Sequence, residues 1–173
     1  MENFICKIAT REELLKRWEY LIEIHPGKND WITYRENAIR NFDNRSTISY
    51  LGFLNNEIIC EATAYIAPSA FEGDISDSSK LLNDNMAYLA AFRTNKEYEG
   101  KGYFRKLYDF MEKDLKEKGY TELCLGVGPE AVRNIKIYFH LGFTEYIKTL
   151  IEYNQSEEDV ILFYKKKIWI YYR

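Results

Sequence analysis

The sequence predicts a mixed α/β (α+β) fold, with a sheet of about seven strands flanked by about four helices. Along the 173 residues, the spacing of the apolar residues changes several times between a helical and a strand-like period. In the second half, a strand, a helix and a near-continuous apolar strand follow one another, as in a βαβ unit. We find no repeat, linker or low-complexity segment, so we expect residues 1–173 to form one domain.

The chain begins with a strand and two helices. Residues 3–9 are a strand candidate. A capping box, Thr10 with Glu13, then opens a helix whose apolar residues recur at helical spacing. A second capping box, Thr33 with Glu36, predicts the start of a shorter second helix.

An antiparallel hairpin follows, with strands at 47–54 and 57–67 joined by a turn at Asn55-Asn56. Alternation along the second strand puts Ile58, Cys60, Ala62, Ala64 and Ile66 on one face and Ile59, Glu61, Thr63 and Tyr65 on the other. The carboxylate, hydroxyl and phenol of the second face favour a lined cavity. An ordinary solvent-facing side is the alternative.

The next segment, residues 68–85, is polar and acidic. We interpret it as a loop or a lid, with a turn of helix at 79–82. A loop of this length in a domain is usually either functional or disordered, and the sequence does not separate the two cases.

The stretch 86–119 has the features of a phosphate site. An apolar strand at 87–92 leads into a turn with Gly100 and Gly102, and an amphipathic helix then runs to Gly119. Amides in the first turn of a helix have no internal partner and attract anions, and glycine allows a close approach. Basic residues surround the turn: Arg93, Lys96, Lys101, Arg105 and Lys106.

The remaining elements are a buried type of strand at 121–127, a helix at 131–141 and two strands at 143–153 and 160–172. The complete predicted order is β-α-α-β-β-β-α-β-α-β-β. The run Lys165–Lys167 lies within the last strand, and we interpret it as a solvated sheet edge rather than a phosphate site.

Composition excludes several functions. The net charge of −3 and the lack of a basic stripe argue against nucleic acid as a partner. The three cysteines and two histidines are too widely spaced for a metal site or a disulfide framework. No signal peptide or membrane-spanning run is present, so we expect a cytoplasmic protein that does not bind membranes.

Two motifs resemble the GNAT acetyltransferase superfamily. The segment 97–102 (EYEGKG) is similar to the pyrophosphate loop of that family, and the segment 138–143 (YFHLGF) is similar to its Tyr-x-x-x-Gly-Phe motif. The predicted order of elements resembles the family over the whole chain. The resemblance implies acetyl-CoA as the donor and a primary amine as the acceptor.

The resemblance also implies a set of cofactor-binding residues. Backbone amides of Glu99, Gly100, Lys101, Gly102, Tyr103, Phe104 and Arg105 would hold the pyrophosphate. The open strand edge at Phe92, Arg93 and Thr94 would pair with the pantetheine arm, and Asn134 is a further candidate contact. A carboxylate at Glu97 or Glu99 would lower the affinity for the pyrophosphate by like-charge repulsion, unless it points to solvent or pairs with Lys101 or Arg105.

The resemblance assigns the general acid to Tyr138, because a phenol stays protonated at neutral pH and can donate to the departing thiolate. Glu61 is the best candidate for the base. Tyr88, Glu99 and ordered water remain alternatives. No metal is required by this chemistry.

These features predict an N-acetyltransferase for a small, cationic amine. The alternatives are an inactive acyl-CoA-binding sensor or interaction module, and an acetyltransferase for a peptide or protein amine. The apolar end of the last strand, residues 168–172, predicts that this end is covered, either by a second subunit in a homodimer or by the chain's own fold.

Overall fold

The structure is a computed structural model that describes residues 3–28, 30–71, 81–154 and 157–168. Over these residues it contains the predicted seven strands and four helices in the predicted order. The strands are β1 (Phe4–Ile8), β2 (Thr47–Leu54), β3 (Glu57–Tyr65), β4 (Met86–Thr94), β5 (Glu122–Val127), β6 (Glu145–Asn154) and β7 (Glu157–Lys167). The helices are α1 (Arg11–Glu23), α2 (Asp30–Asp43), α3 (Tyr103–Glu117) and α4 (Val132–His140).

The strands form one sheet in the order β1-β2-β3-β4-β5-β7-β6. Neighbouring strands are antiparallel except β4 and β5, which are parallel and are connected through α3. The predicted βαβ unit is therefore confirmed. Strands β4 and β5 pair only at Met86–Tyr88, so within the described residues the two strands separate beyond Tyr88.

The helices pack on opposite faces of the sheet. Leu107, Tyr108 and Met111 of α3 are buried in one cluster with apolar residues of β3, β4 and β5. On the other face, Leu14 and Trp18 of α1 are buried in a second cluster, to which residues of α2 also contribute. Burial of these apolar faces is the main stabilising contribution to the fold.

One of the two predicted capping boxes is present. Thr10 accepts from the Glu13 amide, and the Glu13 carboxylate accepts from the Thr10 amide. The second box is wrong, because α2 already begins at Asp30 and Thr33 is exposed inside the helix. The earlier start places Trp31 on the helix, where its ring stacks on His25 at 3.9 Å.

A bulge in β3 changes the predicted faces of this strand. The pairing register with β2 shifts between Gly52 and Phe53, which leaves Ile59 as the extra residue. Ile58 then packs with α1, whereas Ile59 and Cys60 both pack on the α3 face. The prediction that Ile58 shares a face with Cys60 is therefore wrong, because a bulge interrupts the alternation of side chains.

A second bulge lies in β4 and has larger consequences for the site. Glu61 pairs with Arg93 and Thr63 with Ala90, so β4 has one extra residue at this point. Ala91 has a φ of 55°, in the left-handed region. The extra residue turns Phe92 towards α3 and Arg93 towards α1, because each residue after the bulge moves to the opposite face.

The left-handed backbone of Ala91 leads to a stability prediction. A left-handed alanine costs about 1–2 kcal/mol, and glycine removes this cost. Ala91→Gly should therefore leave the free energy of unfolding unchanged or raise it by about 1 kcal/mol, after the entropic cost of glycine. Urea denaturation measures this change.

The neighbouring Ala90→Gly is the matched control, since Ala90 is also partly buried but has no positive φ. This variant should lose about 0.5–1 kcal/mol, as expected for glycine in a regular strand. Equal losses in both variants would contradict a left-handed Ala91.

Strand β7 lies inside the sheet, between β5 and β6, so the prediction of a solvated edge at Lys165–Lys167 is wrong. Lys165 pairs with Glu122 at 2.9 Å and Lys166 with Glu112 at 2.6 Å. The carboxylate beside each of these two ammonium groups compensates its charge.

Several predictions fall on residues outside the described ranges. They include most of the proposed 68–85 lid, part of its helical turn and the apolar end of the last strand beyond Ile168. Ile168 itself is buried. Among the described helices, none is long and apolar enough to span a membrane.

Candidate active site

The predicted phosphate loop forms one side of an open cavity of about 300 Å³, which we call the phosphate cleft. The cleft lies between the loop after β4, the start of α3 and the exposed face of α4. Its lining residues are Phe92, Thr94, Tyr98, Glu99, Gly100, Gly102, Tyr103, Phe104, Arg133, Asn134, Ile137 and Tyr138. The cleft therefore brings together most of the residues predicted to bind a cofactor.

The loop has the backbone geometry of an anion site. Gly100 and Gly102 have φ values of 72° and 81°, which favour glycine, and α3 begins directly after them at Tyr103. A Cβ atom added to either glycine would meet no other atom within 4 Å. The space beside the first amides of α3 is therefore open to a phosphate group. A side chain at either position would extend into this open space, whereas glycine keeps it empty.

The charged side chains around the loop differ from the prediction. Glu99 pairs with Arg133 of α4 at 3.1 Å, not with Lys101 or Arg105. Arg105 instead pairs with Asp109 one helical turn along α3, and Lys101 lies over the Tyr98 ring. Neither Lys101 nor Arg105 lines the cleft, so the loop offers backbone amides, rather than these two side chains, to an anion in the cleft.

Arg133 was missed by the sequence analysis. It is the one arginine or lysine that lines the cleft among the described residues, and it comes from the helix opposite the loop. The only signal for Arg133 in the sequence was its position next to Asn134, which was a candidate contact to the cofactor. Arg133 pairs with the Glu99 carboxylate beside the phosphate site, which offsets part of the repulsion that this carboxylate would exert.

Tyr138 lies on α4 and lines the phosphate cleft. Its ring contacts the Phe92 ring edge-on, at a centroid distance of 5.9 Å. Burial raises the pKa of the Tyr138 phenol above its ordinary value of about 10. Tyr138 is therefore protonated at neutral pH and can donate a proton into the cleft.

A second cavity, of about 260 Å³, lies on the other face of the sheet, and we call it the α1–α2 cavity. Its lining residues are Leu14, Trp18, Tyr34, Asn37, Ala38, Asn41, Thr47, Ser49, Glu61, Thr63, Tyr65, Ala70, Ala90, Ala91 and Arg93. The predicted cavity at Glu61, Thr63 and Tyr65 is thus confirmed.

A buried charge cluster, Arg17–Glu61–Arg93, closes one end of the α1–α2 cavity. The Glu61 carboxylate accepts from Arg93 Nη1 at 2.9 Å, and Arg17 Nε lies 3.5 Å from the same oxygen. Arg17 and Glu61 are almost completely buried. Arg17 also donates to the side chain of Asn95, directly before the phosphate loop, at 2.7 Å.

Two predicted residues therefore lie away from the phosphate cleft. The Arg93 side chain lines the α1–α2 cavity beside the rings of Trp18 and Trp31, which contact each other, because the β4 bulge turns it there. Glu61 is held in its ion pairs at the same place. Nothing in the local sequence signals the bulge, since Ala91 is not a glycine.

The matches to known proteins agree with this geometry. A family model described as the acetyltransferase (GNAT) family matches residues 9–143. The chain belongs to the GNAT family. It is therefore an acyltransferase that uses acetyl-CoA for N-acetylation, and the donor is confirmed.

Solved GNAT structures share the fold at low sequence identity. A ribosomal-protein-S18-alanine N-acetyltransferase from Escherichia coli has a TM-score of 0.69 at 16% identity, covering 97% of this chain and 96% of that chain. A putative acetyltransferase from Salmonella typhimurium with its cofactor acetyl-CoA has a TM-score of 0.67 at 14% identity, covering 95% and 93%. No curated protein matches the sequence.

The phosphate cleft fits acetyl-CoA. Gly100, Gly102 and the first amides of α3 leave open space for the pyrophosphate, and Arg133 and Asn134 lie across the cleft from them. Within the described ranges, no group of three or more His, Cys, Asp or Glu side chains is placed to hold a metal ion.

Proposed function

We propose that this GNAT protein acetylates the primary amine of a small molecule, with Tyr138 as the general acid. The observation that carries the proposal is the position of the two cavities on opposite faces of β4. Phe92 and Thr94 line the phosphate cleft, whereas Ala91 and Arg93 line the α1–α2 cavity. A donor and an acceptor bound in these cavities would lie on opposite faces of β4, and we place the transfer where β4 separates from β5.

The donor is held by groups that recognise a phosphate and an amide chain. The pyrophosphate lies over Gly102 and the first turn of α3, where unpaired amides and the helix dipole stabilise negative charge. The edge of β4 beyond Tyr88 has no β5 partner among the described residues, so its backbone is available to the amides of the pantetheine arm.

The acceptor amine arrives as an ammonium group and loses one proton to become a nucleophile. Its nitrogen forms a bond to the acetyl carbonyl carbon, the bond from this carbon to sulfur breaks, and the amide nitrogen releases its extra proton to water. Tyr138 donates its hydroxyl proton to the departing thiolate and regains a proton from water. The products are an amide, a thiol and one proton.

The first proton goes to water in this proposal, rather than to Glu61. The Glu61 carboxylate is engaged by Arg17 and Arg93 and is almost completely buried. Glu99, another candidate, is paired with Arg133 in the phosphate cleft. Glu61 serves instead to position Arg93 at the end of the α1–α2 cavity.

A peptide or protein amine is the second candidate acceptor. The structural neighbours include ribosomal-protein N-acetyltransferases, which favours this candidate. The shape of the α1–α2 cavity favours the small molecule, because α1, α2 and the sheet surround it on three sides. An inactive binding module is disfavoured, because Tyr138 lies in the cleft with a protonated phenol.

The acceptor is identified by measuring the release of free CoA thiol. Purified protein and acetyl-CoA are incubated with three groups of acceptors: small amines, aminoglycosides and peptides with free N-termini. The proposal predicts release with members of the small-amine group. Turnover of peptides alone would identify the second candidate, and binding of acetyl-CoA without any turnover would identify a binding module.

Bulk at Gly102 should abolish donor binding. In the wild type, acetyl-CoA should raise the midpoint of thermal unfolding, since a ligand at 100 times its Kd adds about 2.7 kcal/mol of stability. In Gly102→Val the side chain occupies the open space above the α3 amides, so this shift should disappear. Differential scanning fluorimetry with and without acetyl-CoA measures it.

Gly119→Val is the matched control. Gly119 also has a positive φ, of 96°, and a Cβ atom there also meets nothing within 4 Å, but the residue follows the opposite end of α3. Both variants carry the same type of backbone strain, and only Gly119→Val should keep the acetyl-CoA shift. Retention of the shift in Gly102→Val would place the phosphate site elsewhere.

A further inference from the structure

We propose that the acceptor carries a carboxylate as well as its amine, and that Arg93 binds this carboxylate in the α1–α2 cavity. The inference rests on the proposed function, because it assumes that the acceptor occupies this cavity. It assigns the acceptor to the class of amino acids and related amines that bear an acidic group.

The charges at this end of the cavity do not balance. Arg17 and Arg93 contribute two positive charges and Glu61 contributes one negative charge, so the cluster carries a net charge of +1. The other described residues that line the cavity are uncharged. Arg17 and Glu61 lie almost entirely out of water, whereas Arg93 is partly exposed, so the uncompensated positive charge is accessible at Arg93, where a bound anion would compensate it.

Arg93 is the group that can reach such an anion. Its guanidinium lies 5.4 Å from the Trp18 ring centroid and 5.3 Å from that of Trp31, and Nη1 is held by Glu61. These contacts fix the plane of the guanidinium before a ligand binds. The side chain is 31% exposed and lines the cavity, so donors that Glu61 does not use are accessible from it.

An unsatisfied group lines the same cavity. Asn41 is 3% exposed, and its Nδ2 donates to the Ala70 carbonyl at 2.8 Å. Its Oδ1 is buried and has no hydrogen-bond partner among the described residues. An unpaired buried acceptor is costly, so this position predicts a ligand that brings an N–H or O–H donor.

This arrangement selects against acceptors that carry only positive charge. A polyamine or an aminoglycoside would place further ammonium groups near Arg93 and Arg17, where like charges repel. The prediction of a cationic acceptor depended on the acidic residues of the 68–85 segment and on Glu61, and the charge of Glu61 is more than compensated in the fold. An amino acid offers both the anion for Arg93 and a donor for Asn41.

The wild-type protein provides the first test. CoA release is measured with common L-amino acids and with the amines that lack only their carboxylate: phenylalanine with phenethylamine, leucine with isoamylamine and lysine with cadaverine. In the pair with the highest turnover, the inference predicts that kcat/KM is at least about 10-fold higher for the amino acid than for the amine, as expected for a charge-assisted contact. Equal or inverted values would overturn it.

The second test assigns the preference to Arg93. In Arg93→Gln the ratio of the two kcat/KM values should fall to about one, and this ratio does not depend on how much protein is active. Arg11→Gln is the matched control, because Arg11 is also paired with a carboxylate, Asp43, but does not line the cavity. A preference that survives Arg93→Gln would overturn the inference.

Binding without turnover gives an independent measurement. The rings of Trp18 and Trp31 both lie beside Arg93, so a carboxylate bound there should change tryptophan fluorescence when phenylalanine is titrated. Phenethylamine should not reproduce the change at the same concentrations. Failure of acetyl-CoA to stabilise the protein would contradict the proposed function itself. Donor binding and amine turnover without a carboxylate preference would contradict only the present inference.

Discussion

Tyr138→Phe should lower kcat by about 10²–10⁴-fold, the usual contribution of general acid catalysis. This range corresponds to about 3–5 kcal/mol of transition-state stabilisation. The variant keeps the ring that packs against Phe92, so stability and acetyl-CoA affinity should change little. The loss should appear equally in kcat and kcat/KM, because the proton is donated only as charge develops on sulfur.

The pH profile tests the same role. An acid must be protonated to act, so wild-type activity should fall as the pH rises through the pKa of Tyr138, which burial places above about 10. Tyr138→Phe should remove this fall at high pH. The exposed Tyr146, away from the cleft, provides the control variant Tyr146→Phe. A loss of less than about threefold with the high-pH limb intact would show that Tyr138 only packs.

Glu61→Gln should destabilise the fold by about 3 kcal/mol, because it leaves the buried guanidinium of Arg17 and that of Arg93 without their carboxylate. For a chain of this size, such a loss lowers the midpoint of thermal unfolding by roughly 6–12 °C. Thermal and urea denaturation measure the change. Asp43→Asn breaks the exposed Arg11–Asp43 pair and is the control, and it should leave the midpoint almost unchanged because exposed ion pairs contribute little.

The Glu61 variant also separates a positioning residue from a catalytic base. If Glu61 is the base, kcat falls by about 10²-fold or more and the low-pH limb of the kcat profile disappears. If Glu61 positions Arg93, the low-pH limb of the kcat profile stays, and the loss of activity appears mainly as a higher KM for the acceptor. Unchanged stability together with a lost limb would support the base role predicted from the sequence.

Local signals determined most of the fold. The apolar periods located each strand and helix to within a few residues, and Asn55-Asn56 forms the predicted turn with positive φ at both residues. Gly100 and Gly102 predicted the position of the phosphate loop. Their positive φ values are adopted readily only by glycine, so this backbone conformation can be inferred from the residue type alone. The helix start predicted from the capping box at Thr33 is wrong, because packing of Trp31 extends α2 towards its N-terminus, to Asp30.

The partners of the charged groups were decided only by the tertiary structure. One extra residue at Ala91 turns Arg93 out of the phosphate cleft and into the α1–α2 cavity, where it meets Glu61 and two tryptophans. Glu99 takes its partner from α4, which is distant in sequence. The sequence by itself therefore determined the GNAT fold and its donor loop, which depend on short-range patterns. The electrostatics of the acceptor site depend on a single bulge and on contacts between distant elements, which no local pattern encodes.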